Sequence, residues 1–272
     1  MTTDAPPPRE PSRVQTTARL GFMLLGAVCA VAIFADVIAP GDPFTTSNDV
    51  LRPPSWTHPF GSDDFGRDLF TAIVHGTRIC LVVALAATAM ALSVGVVVGA
   101  TAGYAGGRID DALMRFTEVF QVVPRFFLVV TTVALFGSGL GLVILIVALT
   151  SWSSTARLVR AQVMSAKTFD HVTAARAAGA RPLRIVRHHI LPIALPPLLA
   201  HAAFQASGAI LAEAGVSFLG LGDPSVMTWG ALLHEAHHFL RVAWWLAVFP
   251  GLALTVTVLG LHLVADGAAD PA

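Results

Sequence analysis

The feature that most constrains this chain is a series of apolar runs, each long enough to cross a bilayer. Between residues 20 and 39 the only charged side chain is Asp36. At 1.5 Å per residue such a run spans a hydrocarbon core about 30 Å thick. Further runs fall at residues 79–102, 119–136, 140–155, 198–219 and 242–265. Lipid offers no partner to an open backbone N–H or C=O, and a helix satisfies each within its own segment. The pattern therefore predicts an all-α polytopic membrane protein with six transmembrane helices. Gln121 and Arg125 interrupt the third run, and Gly137 to Gly141 leave only a tight hairpin before the fourth.

Composition agrees: 55% of residues are apolar and 12% charged, whereas soluble chains carry about 25% charge. A soluble enzyme is excluded. The 17 Lys and Arg balance 17 Asp and Glu, so no basic excess draws the chain to nucleic acid. Lys167 is the only lysine and lacks the glycine frame of a phosphate-binding loop, so the chain has no ATPase site of its own. No catalytic residue and no cofactor are expected. Cys29 and Cys80 lie in apolar runs at different depths and read as small buried hydrophobes.

Residues 1–17 hold Pro6, Pro7, Pro8 and Pro11 among polar residues, a composition too poor in apolar surface to fold, and read as a cytoplasmic tail. Residues 18–78 then comprise the first transmembrane helix and an outer loop, and 79–266 a transmembrane core with an inner loop at 157–192. Ala30-Val31-Ala32 looks like a signal-peptide cleavage site, but the apolar run continues past it, which favours an uncleaved span. With both termini cytoplasmic, the inner segments carry Arg9, Arg13 and Arg19, then Arg108 and Arg115, then Arg157, Arg160, Lys167, Arg176, Arg181, Arg184 and Arg187. The outer segments hold only Arg52, Arg67, Arg78 and Arg241. The positive-inside rule selects this N-in, C-in arrangement, with Trp244 and Trp245 at the outer interface.

Within the inner loop, Asp170 is a candidate N-cap, residues 171–178 a short alanine-rich helix, and Gly179 its left-handed stop. A second helix starts at Pro182. The small face of Ala174, Ala175 and Ala178 allows another protein to approach the backbone closely.

The stretch TAARAAG, with Pro192 following in HILP, resembles the EAA motif in permease subunits of ATP-binding-cassette importers. HPFGSDDFGRDLF from His58, AGYAGGRIDDALMR from Ala102, and EAGVSFLGLG from Glu213 with Trp229-Gly230 following are similar to the dipeptide, oligopeptide and nickel branch of that family. The resemblance implies a type I permease core in the bacterial inner membrane. Its partners would be a second permease, ABC ATPase subunits that bind and hydrolyse ATP, and an extracytoplasmic substrate-binding protein. It makes Asp170, Thr173, Ala174, Ala175, Arg176 and Gly179 the ATPase-coupling residues. Thr173 stands where the motif usually has glutamate, which weakens a capping box with Asp170. Peptides are the expected cargo, with nickel or another metal chelate as the alternative.

Glu213 and Arg125 are intramembrane ionisable groups, hence candidates for the translocation pathway or its gate. For Glu213 the competing role is a hydrogen bond that locks the SFLGLG turn; for Arg125 it is snorkelling to the inner interface from the face it shares with Glu118. HEAHH, His234 to His238, fits the H-E-x-x-H pattern of a zinc protease. Its only potential third ligand, Asp266, lies at the opposite membrane face. The segment reads instead as a solvated amphipathic helix with His234, Glu235 and His238 on its wet side. Asp63, Asp64 and Asp68 with Arg67 read as a charged helix start capped by Ser62 rather than as a metal site. An uncoupled six-span channel is the remaining alternative, against which the basic inner loop speaks.

Overall fold

The computed structural model describes residues 11–269 and is helical throughout, apart from connecting loops and one isolated bridge between Ser62 and Asp68. In chain order the helices are α1 (Pro11–Ile33), α2 (Ala35–Ile38), α3 (Leu69–Ala105), α4 (Gly107–Val122), α5 (Arg125–Phe136), α6 (Leu140–Ala166), α7 (Asp170–Ala177), α8 (Pro182–Ile185), α9 (Leu191–Phe218), α10 (Trp229–Ala236) and α11 (Trp245–Ala269). A π-turn, Val186–Ile190, joins α8 to α9. Of the tail expected at 1–17, residues 1–10 lie outside the described residues, and Pro11 to Thr17 form the first turns of α1.

Among the described residues, five segments are long and apolar enough to cross a membrane: the α1 stretch Thr16–Ile33, α3, α6, the continuous Pro182–Phe218 helix, and α11 over Trp245–Ala268. The sixth is broken, because α4 and α5 meet at a 70° bend. Its cause is Pro124, whose ring disfavours helical backbone at the preceding residue. Val123 is accordingly extended, with φ −91° and ψ 132°. The expected span at 119–136 is thus two half-helices. The expected span at 198–219 is also extended, since helix runs back to Pro182 through the π-turn. That turn precedes Pro192, which lacks the N–H to continue a regular ladder.

α3 is the central helix, packing most extensively on α6 and also touching α1, α9, α10 and α11. The close α3–α6 contact follows from Gly95, Gly99 and Gly103, which recur at four-residue intervals and therefore share a face. A Cβ at Gly99 would lie 2.3 Å from the Ala156 carbonyl oxygen, and one at Gly95 2.4 Å from Thr155 Cβ. Backbones this close gain dispersion contacts in lipid, where the hydrophobic effect gives no help. α1 lies against α11, with Gly21 near Leu263 and Gly267 near Ala18, so both described chain ends sit at the end of the bundle that bears α7.

Several expected details differ. Trp244 is exposed, but Trp245 is buried with its indole N–H on the Ser62 carbonyl at 3.2 Å. Cys80 is buried as expected, whereas Cys29 faces outward on α1. Ser62 does not cap a helix. It is fully buried and its hydroxyl bonds the Asp49 carbonyl, while Asp68 caps α3 by accepting from the Thr71 N–H at 2.8 Å.

Candidate coupling helix and intramembrane cleft

α7 is a short arm anchored on one side. Val172 is fully buried with Ile185, Ile190, Val159 and Val163 in a cluster that also takes in Ala100 of α3. Thr173, Ala174 and Arg176 face outward, and Ala175 is half-buried. The helix ends as the glycine predicts: Gly179 has φ +80°, its N–H bonds the Arg176 carbonyl at 3.0 Å, and the Ala180 N–H reaches the Ala175 carbonyl at 3.1 Å. These two bonds form a Schellman motif, which requires the left-handed residue. The start differs from expectation: Asp170 is the first helical residue, Phe169 occupies the cap position, and no side chain caps the helix. Asp170 still places negative charge at the positive end of the helix dipole. Arg176 lies over the Tyr104 ring at 5.9 Å, and Lys167 Nζ donates to the Gly103 carbonyl at 2.9 Å. Both tie the arm to the C-terminal end of α3. Arg160 and Asp110 add a bidentate pair at 2.5 and 2.6 Å between α6 and α4.

A cleft of about 540 Å³ opens at the α4–α5 break, lined by Phe120, Gln121, Val123, Pro124, Arg125, Thr150, Ser151, Ser153, Ser154 and Arg157. Because of the bend, Arg125 shares no helix face with Glu118, and it does not snorkel along α4. Its Nη1 donates to Ser151 Oγ at 3.0 Å, and its Nη2 lies where a Cβ on Gly208 would be only 2.9 Å away. The guanidinium is thus wedged between α6 and the bare backbone of α9. Gln205 of α9 is buried and donates to the Ser151 carbonyl, Ser154 Oγ and Thr155 Oγ1 at 2.9, 3.2 and 2.9 Å.

Glu213 is 5% exposed and stands apart from this cleft. It accepts from Ser217 Oγ at 2.6 Å and has Thr228 as a second partner, so it links the end of α9 to the segment that opens α10. Gly220 follows at φ +78°, where a non-glycine residue would be strained.

At the same end of the bundle, Arg67 Nε donates to Asp63 at 2.6 Å, and its Nη2 donates to both Glu235 oxygens at 2.9 Å. Glu235 is therefore half-buried and engaged, not on a solvated face. Burial raises its carboxyl above the ordinary range, and Arg67 opposes that rise. Asp64 is raised too, by burial and then by Asp63. Oxygens of Asp63, Asp64 and Glu235 lie within 4.8 Å of one another, with the Arg67 guanidinium supplying positive charge among them. The His234 and His238 rings lie 6.1 Å apart, centroid to centroid, beside this cluster. α10 stops at Ala236, so His238 is past the helix end; His234 Nδ1 donates to the Phe218 carbonyl at 2.8 Å. A zinc protease needs a free carboxylate as general base beside its two imidazoles, and Glu235 is instead held by Arg67.

Residues 95–270 match the family of binding-protein-dependent transport system inner membrane components. The chain belongs to this family. A di/tripeptide transport system permease protein, DppC of Pseudomonas aeruginosa (strain UCBPP-PA14), is 37% identical over 257 residues, covering 92% of this chain and 84% of that protein. The dipeptide permease DppC of Bacillus subtilis (strain 168) is 35% identical, covering 88% and 78%. The oligopeptide permease OppC of the same strain is 33% identical, covering 95% and 85%. Among solved structures, the inward-facing MetNI methionine ABC transporter shares the fold, with a TM-score of 0.61 at 20% identity over 73% of this chain and 94% of that one.

For this inner membrane component, sequence reasoning located α7 and both intramembrane charges. It missed the Ser151–Ser154–Arg157 face of the cleft and the Arg67–Glu235 tie. The first carried a signal, since those residues recur every three positions; the second had none, because its partners are 168 residues apart.

Proposed function

We propose that this permease is one of two membrane subunits of an ATP-driven importer of di- and oligopeptides. It pairs with a second, similar permease so that their helices enclose one passage. ATPase subunits dock on α7, and an extracytoplasmic binding protein delivers peptide at the end bearing α10. Both termini are cytoplasmic, because the basic residues cluster at the α7 end. The chain itself binds no nucleotide; ATP is hydrolysed by the partners. The proposed organisation is a tail at 1–17, a first span and outer loop at 18–78, and a core at 79–266 whose loop at 157–192 couples to the ATPase.

The observation that carries this reading is α7: a rigid helix with an anchored inner face, an outward face of small residues, and a glycine stop at the basic end of the bundle. Asp170, Thr173, Ala174, Ala175, Arg176 and Gly179 form that contact, while Arg125 and Glu213 act along the passage. The relatives' names support peptides as cargo. The test is uptake by the complex reconstituted in proteoliposomes with its binding protein. ATP-dependent accumulation of a labelled dipeptide is the expected result. Accumulation of a nickel chelate without dipeptide would replace the cargo, and transport of neither would remove the importer reading.

A further inference from the structure

The cleft at the α4–α5 break holds two guanidinium groups and no carboxylate. Arg125 bonds only a serine hydroxyl there, and Arg157 Nη1 donates to the Gln121 side-chain oxygen at 2.6 Å. Among the described residues neither arginine enters an ion pair, whereas Arg67, Arg78 and Arg160 each have an acidic partner. Ser151, Ser154 and Arg157 recur at three-residue intervals on α6 and all line the cleft. Helical rise puts Arg157 roughly 9 Å beyond Ser151 towards the α7 end, with Ser154 between them. His201 of α9 approaches Ser154 Oγ at 3.4 Å. Ser151 lies near the midpoint of α6, so Arg125 sits deep in the span. A cation at that depth is costly unless it meets an anion or a wet passage. The half-helix α5 begins at Arg125 with no side chain capping it, and its first-turn amides add positive potential at the same place.

We propose that Arg125 and Arg157 form a carboxylate-receiving site in the passage, taking the free C-terminal carboxylate of the transported peptide. This rests on the peptide-importer reading. The carboxylate exchanges the Ser151 hydroxyl for paired N–H···O bonds from Arg125, then passes Ser154 to Arg157. Arg125, fixed by Gly208 and Ser151, is the selective element. Arg157 is exposed and more freely hydrated, and serves as the release point.

The experiment uses the assembled complex carrying Ser154→Cys in a Cys29→Ser background, with N-ethylmaleimide as the label. Dialanine and dialanine amide are the probes, and dipeptide uptake is measured in parallel on the Cys29→Ser complex with Ser154 intact. Dialanine is expected to slow labelling about tenfold, as befits a charge-assisted pair, and its amide to have little effect. Arg125→Gln should abolish the protection, and Arg125→Lys should restore part of it. Equal protection by acid and amide, protection that survives Arg125→Gln, or an unreactive Ser154→Cys would overturn the site. So would loss of the second permease from the Arg125→Gln complex with protection unchanged, which would assign Arg125 to an inter-subunit ion pair. Dipeptide uptake without acid-specific protection removes this inference alone, whereas absence of uptake removes the peptide reading with it.

Discussion

Arg67 Nη2 donates to both carboxylate oxygens of Glu235 at 2.9 Å, joining the loop before α3 to α10 across 168 residues of sequence. Arg67 is also held by Asp63, so one guanidinium organises the end of the bundle that bears α10. Trp245, with its indole on the Ser62 carbonyl, ties the same loop to α11, and Trp229, on the Ile73 carbonyl at 3.1 Å, ties α10 to α3.

Replacing Glu235 by Ala should destabilise this end of the bundle by about 1.5–3 kcal/mol, the usual worth of hydrogen bonds to a charged group. The Asp63 pair remains, so Arg67 is not left wholly unpaired. The check is the thermal unfolding midpoint of the purified complex. His238→Ala, on an exposed turn, should leave that midpoint in place, and equal falls for both variants would contradict the tie.

His58 provides a pH-dependent element in the same loop. Its Nδ1 lies 2.9 Å from Asp68 and its Nε2 3.5 Å from Asp49. The Asp68 hydrogen bond, then Asp49, raises the imidazole above its ordinary value against the effect of burial. A raised folded-state value means the stabilisation is fully present below the unfolded value of 6.5 and is lost as pH rises through the folded one. The unfolding difference between wild type and His58→Gln should therefore be largest below pH 6.5, on the order of 1–2 kcal/mol, and shrink in mildly alkaline buffer. A difference that grew with pH would contradict the assigned protonation.

Gly99 and Gly26 make a controlled pair. Both are helical, but a Cβ at Gly99 would meet the Ala156 carbonyl oxygen at 2.3 Å, and one at Gly26 would meet nothing within 4 Å. Gly99→Ala should cost about 1–3 kcal/mol through overpacking and reduce recovery of folded protein. Gly26→Ala should be neutral or slightly stabilising, because alanine is the better helix former. Comparable behaviour of the two in thermal unfolding would show that α3 and α6 are not in close backbone contact.

How much was legible in the sequence depends on the range of the interaction. Apolar runs located five continuous spans, and the Gly179 stop was readable because its geometry depends on adjacent residues alone. Pro124 carried the information for the α4–α5 break, but the apolar run through it masked the bend. The helical extent of α9 was underread because its prolines suggest a stop, whereas the π-turn before Pro192 absorbs the missing N–H. Burial of Trp245, Ser62 and Glu235 was not readable at all. Each depends on a partner brought up by tertiary packing, and an amphipathic pattern cannot distinguish a wet helix face from one covered by a distant loop. Arg125 was recognised as a costly charge, but its neighbours Ser151 and Gly208 come from two other helices.

In the proposed importer, α7 transmits the work of the ATPase partner to the membrane helices. The most direct measurement is ATP-dependent dipeptide uptake, with recovery of the ATPase subunit, for the reconstituted complex carrying Ala174→Arg on the outward face of α7. The second permease and binding protein stay unchanged. Uptake should fall at least about tenfold, because a long charged side chain separates surfaces that only small residues allow to meet. ATPase recovery should fall with it, while the thermal stability of the permease pair stays near wild type, since the substitution leaves the Val172 anchor intact. Wild-type uptake and undiminished ATPase recovery would contradict the claim.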